Sequence, residues 1–310
     1  MRFNPSEVTA GHGGAYFTGN GAKAASRFKL AVMGTSYFQP TQMPPPPPPG
    51  PGATFGSMLR HFRKARQWSQ LQMALAADAS SRHVSFLESG RAQPSREMVL
   101  RLAEVLRVTL RDQNQLLQSA GFAAVFPETP LAKDPLGPHR LALESILSKQ
   151  EPYPGLVADS NWNIRMRNEP LARMARAFIP PENFAAAGAA AGNAVKYLFD
   201  PLLWRPYIIN WELTAMQMMQ RLRDEGAHEL MGELLRYPGV PSGLAASSGD
   251  AALRDPVMTI RLVKGNLRIH YFSILSTFGL PQDITLQELR IKLFFPADAE
   301  TEAGFRQMAG

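Results

Sequence analysis

The sequence predicts a multidomain chain with two folded parts: an all-α bundle of five short helices over residues 54–124, then an α+β domain with an antiparallel sheet over residues 141–300. Three observations predict it. Apolar residues recur at i, i+3, i+4 and i+7 through the first part. Pro127, Pro130, Pro135 and Pro138 crowd residues 125–140 and mark a linker. Beyond them, stretches of alternating polarity stand on either side of a helical middle, an order that builds one sheet with helices packed on it.

Ahead of both parts, residues 1–53 are rich in Gly, Ala, Ser and Thr and end in six consecutive prolines at 44–49. Such a run favours extended polyproline geometry and forms no helix, so a disordered tail is expected. It reads either as a ligand for a proline-binding module or as a passive extension. Residues 301–310 read as a short C-terminal tail. No apolar run approaches the roughly 18 residues of a membrane helix, and no apolar core with a cleavage site opens the chain. The expectation is a cytoplasmic protein without membrane insertion.

Within the first part, Phe55, Met58, Leu59 and Phe62 form one face of a helix, opposite Arg60, Arg63 and Lys64. Ser69, with Gln72 three residues on, has the capping-box spacing and opens a second helix that turns Met73, Ala74 and Ala77 inward. Ser80 caps a third helix anchored by Val84 and Leu87. Pro94 and Ser95 open a fourth that carries Val99, Leu102, Ala103 and Leu106, and a fifth runs near 111–120 and stops at Gly121.

The net charge of +7 is unevenly spread. Residues 54–124 carry ten Arg or Lys against five acids, whereas residues 125–310 carry 19 against 20. Only the first part is therefore expected to meet a polyanion. With no cysteine, disulfides, thiolate zinc sites and thiol nucleophiles are excluded. The six histidines show no paired metal spacing, and no P-loop or nucleophile elbow appears, so catalysis finds no footing and no cofactor is expected. Glu229 and Glu233 beside His228 read as a solvated helix face, and Asp159 and Trp162 as a turn acid and a core aromatic. An enzyme using its first domain only for autoregulation is the disfavoured alternative.

The second and third helices carry the functional signal. Ala74 is small where the helices must approach, a turn follows at 78–80, and Val84 and Leu87 then anchor the third helix. This is helix-turn-helix spacing, in which the second helix of the pair enters the DNA major groove with its N-terminal residues on base edges. Double-stranded DNA is the predicted partner.

In Ser69–Gln70 and LESGRAQPS at 87–95, residues 55–121 resemble the phage-repressor (Cro/XRE) type of helix-turn-helix. The turn position that is commonly glycine in that type is Asp78 here, and aspartate tolerates the left-handed conformation better than most residues. The resemblance implies that Ser81, Arg82, Ser85 and Phe86 face the groove and that Gln70 touches phosphate. Arg82 has the donors to read a guanine through O6 and N7. Phe86 either contacts a thymine methyl or packs on the fourth helix. Arg63 and Lys64 are candidates for phosphate. Symmetric operators require two copies of the motif, so a homodimer is expected.

Past the linker, a hairpin is read at 156–159 and 162–168, a loop at 184–195, helices at 206–225 and 228–236, and strands at 258–263, 267–277 and 289–295. The segments RHVSFLESGRAQPSREMVLRLAEVLRV, AGF at 120–122, EPYPGLVADSNWNIRMRN and ITLQELRIKLFFPAD together resemble bacterial regulators with an MmyB-like ligand-binding domain. That resemblance implies a PAS-like C-terminal domain with an apolar pocket for a small, fatty-acid-like ligand. The residues themselves offer a stripe of Leu213, Met216, Met219 and Leu222, which suits an adaptable apolar site and equally an ordinary core. The pocket is expected between the helix at 210–223 and the strand at 267–277. Leu213, Met216, Met219, Phe272 and Ile274 would line it, and Arg261, Arg268 or His270 would meet an acidic head group. The alternative is a protein-interaction or dimerisation module without ligand.

Overall fold

The computed structural model describes residues 52–131, 137–241, 258–279 and 281–309. The tail read at 1–53 lies outside them except for its last two residues, as do residues 132–136 of the linker.

Five helices form the first part: α1 (Phe55–Ala65), α2 (Gln70–Ala76), α3 (Ser81–Glu88), α4 (Arg96–Val105) and α5 (Leu110–Ser119). Each starts at a hydroxyl residue whose side chain accepts a hydrogen bond from a backbone N–H of the first turn: Thr54, Ser69, Ser80, Ser95 and Thr109. These caps satisfy donors that a helix leaves orphaned, which is why such short helices have sharp starts. The expected capping box is present, with Gln72 N donating to Ser69 Oγ at 3.1 Å and Ser69 N to Gln72 Oε1 at 2.8 Å. Leu59, Phe62, Met73, Val84, Leu87, Val99, Leu102 and Leu116 close one apolar core. Asp78 takes φ +49 in the α2–α3 turn, the left-handed conformation for which glycine is the usual solution.

Residues 120–136 join the last helix of the bundle to the second part, and 120–131 of them are described. Asn114 of α5 pins the chain after the bundle, accepting from Val125 N and Phe126 N and donating to Phe126 O. Helix α6 (Gly137–Lys149) then begins inside the stretch read as linker. The elements continue as β1 (Gly155–Ala158), β2 (Ile164–Arg167), α7 (Glu169–Phe178), α8 (Pro181–Ala187), α9 (Lys196–Phe199), α10 (Trp211–Asp224), α11 (His228–Leu234), β3 (Thr259–Lys264), β4 (Leu267–Ser276), α12 (Ile284–Glu288), β5 (Arg290–Pro296) and α13 (Ala299–Ala309). Two expectations are corrected. The loop read at 184–195 contains part of α8 and a 3₁₀ turn at Gly188–Gly192. The C-terminal tail is helix α13, anchored by buried Phe305 and by Thr301, whose hydroxyl accepts from His270 N at 2.7 Å.

The sheet is antiparallel throughout, in the order β2-β1-β5-β4-β3. Side chains of a strand alternate between its faces, so β1 and β5 serve two cores. Leu156, Ala158, Ile260, Leu262, Ile269, Tyr271 and Phe294 join the core built with α7, α9, α10 and α11. Val157 and Ile291 point the other way and pack with Leu143 and Leu147 of α6.

Gly56 fixes how closely α1 meets the end of α3. A Cβ there would stand 2.6 Å from the carbonyl oxygens of Leu87 and Glu88. Those neighbours are backbone and cannot swing aside, so Gly56→Ala is expected to destabilise the chain by about 1–3 kcal/mol, the usual cost of overpacking. Urea unfolding measures it, and an unchanged midpoint would contradict so close an approach.

Candidate nucleic-acid interface and ligand cavity

Glu88 at the end of α3 is buried, and three helices converge on it. Arg63 of α1 donates to both carboxylate oxygens at 2.5 and 2.9 Å, and also to Trp68 O at 2.6 Å. Gln70 of α2 donates to Oε2 at 2.9 Å, and Arg60 to the Glu88 carbonyl at 3.1 Å. Burial pushes the Glu88 carboxyl up, but the hydrogen bonds from Arg63 and Gln70 and the nearby guanidinium charges outweigh it. The net result lies below the usual carboxylate range. This corrects the expectation for Arg63: it neutralises a buried carboxylate rather than facing phosphate, and only 9% of it is exposed. Gln70 is half-buried and spends one of its two N–H donors on Glu88, which leaves one for a phosphate. Lys64 stays exposed on α1.

Anchored at its C-terminal end, α3 turns Ser81 and Arg82 to solvent, with Ser85 and Phe86 half-exposed beside them. Phe86 stands outside the apolar core of the bundle. The Arg82 guanidinium lies over its ring, 5.3 Å from the centroid. A cation–π contact one helical turn apart narrows the positions open to Arg82 before any base is met. All four residues thus share one open helix face.

A feature invisible in the sequence joins the two parts. Arg111 of α5 donates to Glu288 of α12 at 2.6 and 3.1 Å and to Glu128 at 2.5 and 3.0 Å. Its hydrogen bonds to Glu288 first, then to Glu128, hold the guanidinium in its charged form. Leu110 N donates to Gln287 Oε1, Thr129 N to Asp283, and Ile284 N to Pro127 O. An open cleft of about 940 Å³ borders this clasp, lined by Arg111, Glu128, Arg140, Asp159, Arg165 and Glu288 among others. Arg140 pairs with Glu144 and Arg165 with Asp159, so its arginines already have counter-charges.

The residues expected to line a ligand pocket are not brought together around one space. Ile274 is exposed, and Phe272 stacks on Phe295 at 5.5 Å, both on the opposite face of β4 from Ile269 and Tyr271. Arg261, Arg268 and His270 share that outer side; His270 meets Asp298 at 3.1 Å and Arg261 at 3.4 Å. On α10 the buried stripe is Ala215, Met218, Met219 and Leu222, with Leu213 and Met216 only half-buried. The cavity under the helices is lined instead by Leu156, Leu171, Leu198, Tyr197, Trp204, Tyr271, Lys292 and Phe294 among others. It measures about 20 Å³, room for one water. Lys292 is buried there, over the rings of Trp162 at 5.8 Å and Phe294 at 5.4 Å. No group of His, Asp or Glu suited to a metal ion occurs among the described residues. No described helix is long and apolar enough to cross a membrane.

A capped helix pair presenting a polar face, clasped to an α+β domain with a cavity in its core, defines a helix-turn-helix transcription regulator with a C-terminal ligand-binding domain. Residues 54–116 match the model of a helix-turn-helix domain, and residues 140–308 match that of the MmyB-like transcription regulator ligand binding domain. The chain belongs to the MmyB-like transcription regulators. Both families are regulatory rather than enzymatic. No curated protein matches the chain. Among solved structures it is similar to that of an RNA-binding light-oxygen-voltage receptor, at 14% identity and a TM-score of 0.24, with 81% of this chain and 60% of that one covered. The chain thus spans less than two thirds of that receptor's length.

Replacing Glu88 tests the convergence point. Glu88→Gln leaves the Arg63 cation buried without its counter-charge and is expected to cost about 3–5 kcal/mol. Because the folded carboxyl lies below its unfolded value of about 4.3, Glu88 contributes stability above that pH, and the contribution fades as pH falls through the lower folded value. Denaturant unfolding across this acid range should therefore show a shallower pH dependence in the Gln variant than in the wild type.

Proposed function

We propose that the chain is a sequence-specific DNA-binding regulator of the Cro/XRE type that binds its operator as a homodimer in the cytoplasm. The observation that carries this is the α3 face: Arg82 braced on Phe86 beside Ser81 and Ser85, on a domain with ten basic residues against five acidic ones. Long-range attraction to phosphate supplies affinity, and the face supplies base recognition.

The C-terminal domain, on this reading, is PAS-like and senses a small apolar, fatty-acid-like ligand. A single antiparallel sheet with α7, α9, α10 and α11 packed over one face and a small cavity beneath them supports it. Met174, Met218, Met219 and Met231 lie in that same core, and flexible thioethers repack around an entering chain at small cost. The Arg111–Glu288 clasp gives such a ligand a physical connection to the DNA-binding bundle. A second reading, a dimerisation or protein-binding module without ligand, is favoured by one observation: Leu141 and Ile146 of α6 are exposed, at 66% and 37%.

Arg82→Ala is expected to relax preference at one base position by about 1–3 kcal/mol. Lys64→Ala, by contrast, should weaken binding to all sequences alike and lower the slope of log affinity against log salt by about one. Binding-site selection with each variant separates the two, and an unchanged base preference in Arg82→Ala would remove Arg82 from direct readout.

A further inference from the structure

Among the described residues, one side of the sheet is only half covered. Leu143 and Leu147 of α6 pack on Val157 and Ile291, so this helix lies over β1 and β5. Its ends fix how it lies. His139 meets Phe278, just past β4, edge-on at 5.9 Å, and Gln150 donates to Phe294 O at 3.0 Å. Beside the helix, the same face of β4 carries Phe272 and Ile274, paired with Phe295 and Leu293 of β5. Phe272, Ile274 and Phe295 join none of the three cores, and Ile274 is 49% exposed. Helix α13 packs on the opposite face, with Phe305 in the core that holds Ile269. The helix α6 has unused apolar residues too. At about 100° per residue, Leu141 points away from the sheet, while Ala142 and Ile146 share with His139 the flank toward β4. Leu141, Ala142 and Ile146 are all exposed. Arg140, on the other flank, lines the cleft with Arg165 of β2 and Arg111 of α5.

We propose that this half-covered face joins two copies of the chain, with α6 of each protomer laid on the bare strip of its partner's sheet. The proposal rests on the homodimer reading and names the surface that makes the pair. A helix standing beside a bare strip is a step, and a two-fold axis makes a step its own complement. An axis parallel to α6 sets the two helices side by side in one layer between two sheets. Leu141 then meets the partner's Phe272 and Ile274, and Ala142 and Ile146 meet their own copies across the axis. His139, Ala142, Ile146 and Lys149 follow that flank at spacings of three and four, the period of paired helices. Ala142 is small where the helices approach, and Lys149, at the exposed end, carries its amine to solvent. The covered surface is roughly 600 Å² per protomer, the lower end for a specific pair. The axis also suits DNA. Parallel α6 helices keep their N-terminal ends together, and this end faces the bundle across the cleft, through Arg140 and Arg111. Both bundles therefore emerge at one end of the dimer, as inverted half-sites require. A partner of another kind accounts for neither the step nor the common end.

The test uses the full chain, whose lack of cysteine makes single-cysteine variants clean. In sedimentation velocity the wild type should dimerise, and Leu141→Glu or Ile274→Glu should weaken the dimer about tenfold or more. A short bis-maleimide should join two chains of Ala142→Cys or Ile146→Cys. It should leave Glu182→Cys, exposed on α8 over the other face of the sheet, as single chains. A wild-type dimer that Leu141→Glu and Ile274→Glu leave intact, or that does not cross-link at 142 or 146, overturns this face and leaves the homodimer reading standing. A wild type that stays monomeric, alone and on operator DNA, overturns the homodimer reading itself. Should a glutamate variant not fold, the cysteine variants decide, because Ala142→Cys changes an exposed side chain by one atom.

Discussion

The open face of α3 depends on a buried negative charge at the wrong end of a helix. Glu88 closes α3, where the carbonyl ends of the helix already repel an anion. Arg63 and Gln70 make the position tenable, and in doing so tie α1 and α2 to the C-terminal end of α3. The close approach at Gly56 holds the same end from the backbone side. With that end immobilised, the N-terminal half of α3 projects Ser81 and Arg82 at a fixed angle, which base reading demands. A buried ion pair is a doubtful source of net stability compared with an apolar packing. Its value here is geometric, since it sets the direction of one short helix.

A second polar run links the core cavity of the C-terminal domain to the bundle. Lys292 and Arg290 both lie over the Trp162 ring, whose indole N–H donates to Glu225 at 2.9 Å. Arg290 pairs with Glu225 at 3.2 Å and donates to the Ser160 carbonyl at 2.6 Å. The Ser160 hydroxyl reaches Glu288 at 3.2 Å, and Glu288 holds Arg111 of the bundle. Contiguity alone is not coupling. A ligand shifts DNA binding only to the extent that it favours one arrangement of this run over another.

The helix starts at Ser69, Ser80 and Ser95 were legible in the sequence because they rest on local chemistry: each hydroxyl acts within its own turn, as those of Thr54 and Thr109, not read as caps, also do. Which face a strand buries was not. In β4 both alternating sets carry apolar residues, Leu267, Ile269, Tyr271 and Leu275 against Phe272 and Ile274, so periodicity does not choose between them. The choice comes from register against β5 and from the helices above, and it puts Tyr271, rather than Phe272 and Ile274, beside the core cavity. Arg63 was misread for a similar reason. A basic residue beside Arg60 and Lys64 looks solvated until the distant Glu88 is folded against it. Lys292 was hidden between Ile291 and Leu293, two positions after Arg290, and nothing in that local pattern marks which of the two cations is buried. The clasp joins Arg111 to residues 17 and 177 positions away, a pairing no local pattern encodes.

The central claim is that the α3 face reads DNA sequence in a symmetric pair. Selection of the full chain against a random duplex library tests it most directly. The account predicts enrichment of two inverted half-sites whose centres lie about one helical turn apart, roughly 10 base pairs, or a multiple of that. Recovery of unrelated sequences with no shared half-site would contradict it.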